Sequence, residues 1–380
     1  MIFALIAAYA TNFGALAASI PFLAVHLASV GFDPTATAEL LAMLPLVSIV
    51  ATPGWTFLAD RLRSMGLVLR VVSAGALVAF ALLLVDLPRV AIIGALLAFA
   101  AFRAPFGALL DALMLRAARG DAPAFGAVRA WGTAAYSVAA ITTGALVARQ
   151  GSRAVVYASV VLLAAALVAS LAVPRGAPPE HASAPRLTVL VALLRRPRFA
   201  ALLVVALLQE IGLAPYDALF GAYVTGLAGA TAAGVAVAVG AASEFVFLLL
   251  SGPLARRLGA PRLLLFACAA SVVRWTITTF VTLPAIVVVT QSLHALGFGA
   301  FYFSSVLIVN EEAPPQLRAS GQGLFNAICF GVCASLALSI AGIVERHGGM
   351  RAVFAVAGAA SLLATLVTWW FPRGSRASAV

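Results

Sequence analysis

Several residues able to carry charge stand inside runs that are otherwise apolar. Glu244 interrupts GAASEFVFLLL, Arg274 interrupts SVVRWTI, and His294 follows Gln291 by three residues in QSLHALGFGAFYFSS. A buried carboxylate beside an arginine is a pair that protonation of the acid opens, and a histidine changes charge near neutral pH. Glu244, Arg274 and His294 are therefore candidates for handling a proton. The alternative is a permanent pair that fixes helix packing, with a histidine that is merely hydrogen-bonded. Asp111 and Arg129 form a second acid–base set that could grip a polar solute. A structural salt bridge is the competing reading, and Arg129 reads equally well as a loop arginine. Arg103 precedes Asp111 by eight residues, about 12 Å along a helix, so the two need not pair. Glu210 and Asp217 lie seven residues apart on one helix face, with Pro215 between them to loosen the helix. Two acids in that arrangement could bind a cation, carry a proton or hold an amine, or each could neutralise an arginine nearby. Tyr9, Asn12, Tyr136, Tyr216, Tyr302 and Asn326 add polar groups within the same apolar runs.

The elements that must position these residues are transmembrane helices. Hydrophobic residues make up 63% of the chain and charged residues 10%, with a mean hydropathy of +1.09. A water-soluble fold keeps a more polar exterior than this composition allows. Turn residues and arginines divide the 380 residues into twelve apolar segments. They are expected near 2–28, 35–58, 67–85, 90–115, 127–148, 154–173, 199–225, 228–254, 262–280, 284–309, 319–344 and 351–371. Each is near the roughly 20 residues needed to cross the hydrocarbon core. A charge at that depth costs at least about 2.5–3.5 kcal/mol, so the intramembrane charges are expected to face a protein interior or a wet cavity. The N-terminal MIFALIAAYATNFG lacks the positive region of a secretory signal and reads as a retained first span. Residues 174–198 read as a linker leading into a short amphipathic surface segment. Trp369 and Trp370 read as interfacial anchors.

All 24 basic residues are arginine, and the net charge is +11. The arginines lie between apolar segments and not on one soluble patch, which argues against a nucleic-acid partner. Seventeen fall in the even-to-odd loops, the linker and the tail, against five in the opposite loops. By the positive-inside rule both termini are expected in the cytoplasm. Without lysine the chain has no P-loop or Schiff-base lysine, and it contains no HExxH, CxxC or GxSxG. No enzymatic activity, cofactor or metal is expected. Cys268, Cys329 and Cys333 fall inside spans and read as small buried residues.

The chain repeats itself. LADRL at 58–62 answers LARRL at 254–258, RAWG at 129–132 answers RASG at 318–321, and GSRAVVY at 151–157 answers GMRAVF at 349–354. The offsets are 196, 189 and 198 residues. Two parallel six-helix halves follow, at 1–173 and 199–371, with the linker at 174–198 and a tail at 372–380.

These features resemble the major facilitator superfamily. PGWTFLADRLRSMG is similar to its loop signature, which implies a cytoplasmic gate at Gly54, Asp60 and Arg61. FGAVRAWGTAAYS, LLQEIGLAPYDALF, the segment around Glu244, SVVRWTI and QSLHALGFGAFYFSS resemble the phenylpropionate-permease-like branch, close to the oligosaccharide and nucleoside proton symporters. The resemblance implies an all-α membrane fold of 12 helices in two six-helix pseudo-repeats, with substrate bound between the halves. It further implies that Asp111 and Arg129 hold substrate and that Glu244, Arg274 and His294 couple a proton. It supports Tyr216, and offers no counterpart for Glu210 or Asp217. One departure stands out: the related sugar symporters carry another carboxylate one turn after the histidine, where this chain has Gly297.

The sequence thus predicts a secondary transporter for a small organic solute, working by proton-coupled symport and alternating access as a monomer in a bacterial-type cytoplasmic membrane. Its expected substrate residues are Asp111, Arg129, Tyr136, Glu210, Tyr216 and Asp217. A drug or metabolite exporter of the same fold and a non-transporting receptor or lipid-handling protein are the rival readings.

Overall fold

The computed structural model describes residues 2–117, 122–173, 193–313 and 318–370. The side chains of Asp60, Arg116, Arg129 and residues 318–320 lie outside the described set, as do most of the linker and the tail. The described backbone is helical almost throughout and contains no strand.

Eleven of its helices are long and apolar enough to cross a membrane. The last runs 50 residues, from Gly321 to Trp370. As one straight helix it would extend about 75 Å, far beyond a hydrocarbon core of about 30 Å. Gly349 divides it: its φ of 67° and ψ of −178° are not helical, and the chain turns there. The result is twelve crossings, with ends that fall within a few residues of the sequence expectation.

The first six crossings are α1 (Ile2–Ser29), α2 (Pro34–Arg61), α3 (Met65–Ala81), the pair α4 (Arg89–Arg103) and α5 (Phe106–Ala117), α6 (Ala122–Gln150) and α7 (Arg153–Ala172). Pro105 separates α4 from α5, because proline lacks the N–H that would continue the helix and its ring crowds the preceding turn. The last six comprise α8 (Pro197–Ala228), α9 (Ala230–Leu258) and α10 (Ala260–Phe280), then a composite span from Pro284 to Glu312, then the two crossings joined at Gly349. The composite span contains α11 (Pro284–Thr290), a tight turn at Gln291–Leu293, a π-helical stretch at Ala295–Ala300 and α12 (Phe301–Glu312). A second π-helical stretch, Ile328–Cys333, links α13 (Arg318–Ala327) to α14 (Ala334–Trp370).

The turns carry the repeat. Gly31 and Gly229 have φ of 91° and 87°, and Gly151 and Gly349 have φ of 82° and 67°. Both pairs are separated by 198 residues. Left-handed backbone crowds any Cβ, so glycine is the residue that can turn the chain at these points.

Large apolar residues lie on the outside as well as in the core, and several charged or polar groups lie within. Phe3, Val90, Phe280 and Trp370 are exposed, whereas Arg274, Gln291, Glu210 and His294 are buried. In lipid this costs nothing on the apolar side and obliges the polar groups to find partners inside.

Contacts divide the chain into two compact units: residues 1–182 with 218–238, and residues 183–217 with 239–380. In the first, α1 packs along α6 and α7, and α3 packs against α4 and α7. Arg70 at the start of α3 donates to the carbonyls of Leu171 and Val173 at 3.0 Å each, closing the C-terminal end of α7. At the far end Arg153 pairs with Asp86, Arg89 donates to the carbonyl of Gly31, and Ser152 donates to Ser29 at 2.7 Å. In the second unit α10 packs along α14, and Trp275 stacks on Phe354 with ring centres 5.7 Å apart. Arg198 binds Glu312 at 2.8 Å and Glu311 at 3.3 Å, tying the start of α8 to the end of α12.

Candidate functional site

The second unit gathers polar groups from α8, α9, α10 and the composite span. Arg274 and Gln291 are both fully buried. Nη2 and Nε of Arg274 donate to Oε1 of Gln291 at 2.7 and 3.2 Å, and Nη1 lies 3.0 Å from Nδ1 of His294. On the other side of the imidazole, Nε2 lies 3.7 Å from Oε2 of Glu244. His294 therefore stands between the arginine and the acid.

This geometry fixes the tautomer. A guanidinium has donors only, so Nδ1 of His294 must accept from Arg274 and the ring proton of the neutral imidazole sits on Nε2, facing Glu244. A second proton on the ring would set two donors against each other at Nδ1. The arrangement can hold one proton between His294 and Glu244, and a further one disrupts the Arg274 contact.

Aromatic rings enclose the group. Arg274 lies over the ring of Tyr216 at 4.0 Å and that of Trp275 at 4.4 Å, both within cation–π range. His294 stacks on Phe298 at 5.3 Å, and Phe298 stacks on Tyr302 at 6.1 Å. Glycine permits the crowding. A Cβ on Gly240 would come within 2.8 Å of the Tyr216 hydroxyl, and one on Gly299 within 3.3 Å of Cγ of Glu244. His294 sits directly before the π-helical stretch, a local widening that often marks functional positions in helices.

Gly297 has a structural reason. A Cβ there would lie 2.9 Å from Oγ of Ser271, which is itself buried. Ser271 accepts from Nε2 of Gln209 at 3.2 Å, and Ser361 donates to Oε1 of Gln209 at 3.1 Å. The space that a carboxylate would need at position 297 is taken by this buried chain of hydrogen bonds. Neither Gln209 nor Ser361 was singled out by the sequence, although the dipeptide Gln209–Glu210 within an apolar run was a usable signal.

Glu210 is buried, and the thiol of Cys329 in the second π-helical stretch donates to its Oε1 at 3.5 Å. Asp217, two turns on, is exposed and lies within electrostatic reach of both Glu210 and Arg274. Tyr216 faces the Arg274 cluster, whereas Glu210 faces α13 and α14 through Cys329. The α8 candidates thus divide between two surroundings.

The first unit holds a smaller polar set. The hydroxyl of Tyr9 donates to Oδ1 of Asp111 at 2.6 Å, joining α1 to α5. Tyr136 packs beside Ala17, Ala139 and Ala140 and lies within electrostatic reach of Arg103. The backbone of Arg129 is part of α6, and its side chain lies outside the described residues. The same holds for Asp60 of the expected gate. Arg61 is exposed at the end of α2, and a Cβ on Gly54 would meet nothing within 4 Å. Among the described residues no three His, Cys, Asp or Glu side chains group as a metal site would require.

The profile of the MFS_1 like family matches residues 2–356. The chain belongs to that family. It is a membrane transporter of the major facilitator superfamily and not an enzyme. It is 27% identical over 367 residues to the maltose permease of Geobacillus stearothermophilus, covering 94% of this chain and 91% of that one. It is also 27% identical over 360 residues to the probable 3-phenylpropionic acid transporter of Escherichia coli (strain K12), covering 90% of each. Among solved structures, a mutant of the nucleoside transporter NupG superposes with a TM-score of 0.86 over 97% of this chain and 99% of that chain, at 16% identity. A bacterial homologue of the human lysosomal transporter Spinster gives 0.77 over 98% and 96%, at 13% identity. These two likenesses establish the fold: the transporter is a multi-pass helical membrane protein built on the major facilitator plan.

Proposed function

We propose that the protein is a proton-coupled symporter that carries a small organic solute into the cell by alternating access. The observation that carries this reading is the chain Arg274–His294–Glu244, in which a buried histidine bridges a buried cation and a half-buried acid. Solute binding and proton binding would be coupled because Tyr216 contacts both Arg274 and His294. On this reading Asp111, Arg129, Tyr136, Glu210, Tyr216 and Asp217 line the solute path, and Gly54, Asp60 and Arg61 form a cytoplasmic gate. The protein works as a monomer with repeat halves at 1–173 and 199–371. The arginine asymmetry supports a topology with both termini on the cytoplasmic face of a bacterial-type inner membrane. Maltose and 3-phenylpropionic acid, named in the two relatives, support a small organic solute.

The test is reconstitution into liposomes under an imposed pH gradient with a panel of sugars, nucleosides and aromatic acids. The expected result is accumulation of one solute with stoichiometric proton entry, and loss of accumulation in His294→Ala. An absence of solute-dependent proton movement across the panel would overturn the coupling.

A further inference from the structure

The turn between α9 and α10 carries three arginines within seven residues, Arg256, Arg257 and Arg262. All three are exposed. Five other described arginines near the ends of crossings have protein partners. Arg70 donates to the carbonyls of Leu171 and Val173, Arg89 to that of Gly31, Arg153 pairs with Asp86, and Arg196 and Arg198 meet Glu311 and Glu312. Among the described residues no carboxylate lies within ion-pair distance of Arg256, Arg257 or Arg262. The chain supplies none locally, because no Asp or Glu stands between Glu244 and Glu311. The repeat sharpens the contrast. LADRL at 58–62 holds an acid at Asp60, and LARRL at 254–258 holds Arg256 in its place. That change of sign turns a mixed-charge loop into an all-cationic one.

The helices on either side continue these charges into apolar surface. Val246, Leu250, Pro253 and Arg257 follow one another at intervals of four, three and four residues, so they share one face of α9. Arg262, Phe266 and Val273, at intervals of four and seven, share one face of α10. Every one of these residues is exposed, and Val246, Leu250, Phe266 and Val273 are each just over half exposed. On a membrane-spanning helix such a stripe meets acyl chains, which are as apolar as leucine. Gly259, with φ of 75°, is the one residue between α9 and α10, so both stripes end in arginine at a single tight turn. Arg257 stands about 10 Å along the axis from Leu250, and Arg262 about 6 Å from Phe266, where hydrocarbon gives way to headgroups. An arginine stem can lie along apolar surface while its planar fork donates in pairs to phosphate oxygens.

We infer that the α9–α10 turn is a binding site for an anionic phospholipid. Its phosphodiester headgroup is held by Arg256, Arg257 and Arg262, and its acyl chains lie along the stripes that end at Arg257 and Arg262. The site stands apart from the polar groups of the solute path and does not depend on proton coupling. A phospholipid joins an anion to apolar chains, as the turn joins cations to apolar stripes. A zwitterionic lipid offsets its phosphate with its own ammonium, and free phosphate leaves the stripes unused.

The full-length protein is placed in phosphatidylcholine nanodiscs that contain a trace of photoactivatable phosphatidylglycerol or, separately, photoactivatable phosphatidylcholine with the same acyl chains. Cross-linked peptides are then quantified. The expected product is phosphatidylglycerol on the peptides flanking Gly259, favoured over phosphatidylcholine by about fivefold for each arginine engaged. Arg257→Gln with Arg262→Gln should lower that preference by about tenfold or more, and Arg257→Lys with Arg262→Lys should keep most of it. Arg373→Gln with Arg376→Gln removes the same charge from the tail and should leave the labelling unchanged. If the Arg257→Gln, Arg262→Gln protein is not monodisperse by size-exclusion chromatography, the two single variants decide, each with a fall of about fivefold. An equal fall in the tail variant would show diffuse attraction and overturn the site, as would equal labelling by the two lipids. Loss of the label in about 10 mM inorganic phosphate, but not in sodium chloride of the same ionic strength, would assign the arginines to a free anion and overturn the lipid.

Discussion

Nη1 of Arg274 and Nδ1 of His294 lie 3.0 Å apart at the buried centre of the second unit, and because arginine can only donate, the histidine accepts. The charge state of His294 is therefore tied to the position of Arg274. Proton arrival at Nδ1 removes an acceptor from a guanidinium that has few others in reach. Replacing His294 by alanine removes the bridge to Glu244 and should uncouple uptake from the pH gradient while solute exchange across the membrane persists. Counterflow and gradient-driven accumulation, measured on the same liposomes, separate the two. Loss of both together would mean that His294 serves binding or folding instead.

Glu244→Gln keeps the shape of the acid and removes its charge. Nε2 of His294 then faces an amide, and the proton-dependent step should be locked in one state. Accumulation is expected to fall by about tenfold or more with exchange retained, the fall being what removing one charged hydrogen-bond partner produces. An accumulation ratio equal to that of the wild type would show that the carboxylate carries no proton in the cycle.

Tyr9→Phe tests the 2.6 Å bond to Asp111. A hydrogen bond to a charged group contributes about 1.5–3 kcal/mol, and here its loss leaves a half-buried carboxylate without that donor. Thermal unfolding in detergent should shift downwards, and Tyr9→Phe with Asp111→Asn should cost less than the sum of the two single changes. Additive costs would show that the two side chains do not act as a pair.

Gly297→Ala places a methyl group 2.9 Å from Oγ of Ser271, and overpacking of this kind costs about 1–3 kcal/mol. Ser271→Gly should relieve part of that cost, although it also removes the acceptor used by Gln209. Gly54→Ala, where a Cβ meets nothing within 4 Å, should leave stability unchanged. Equal melting temperatures for all three would contradict the packing described around position 297.

Much of the framework could be read from the chain. Apolar runs bounded by glycine, proline and arginine placed the crossings, because lipid enforces one length and one composition on every span. Gln291 and His294 were visible as neighbours because three residues bring two side chains to one side of a helix. The partners of the acids were not visible. Tyr9 and Asp111 are separated by 102 residues, and Glu210 and Cys329 by 119. No local pattern specifies which helices meet at that range. The sequence suggested Arg274 as the partner of Glu244, and the structure sets His294 between them, at the junction of a tight turn and a π-helical stretch. Such irregular turns leave no periodic signature.

The paired turns have a consequence for how the two halves came to differ. Gly31 and Gly229, and Gly151 and Gly349, hold the same left-handed bends at one constant spacing, while the polar residues of each half are unlike. A duplicated ancestral segment would show this pattern if its bends were irreplaceable and its charges free to drift. The bends tolerate one residue type and preserve ancestry; the charges record specialisation, with a histidine-bridged acid on one side of the duplication and a tyrosine-bound aspartate on the other.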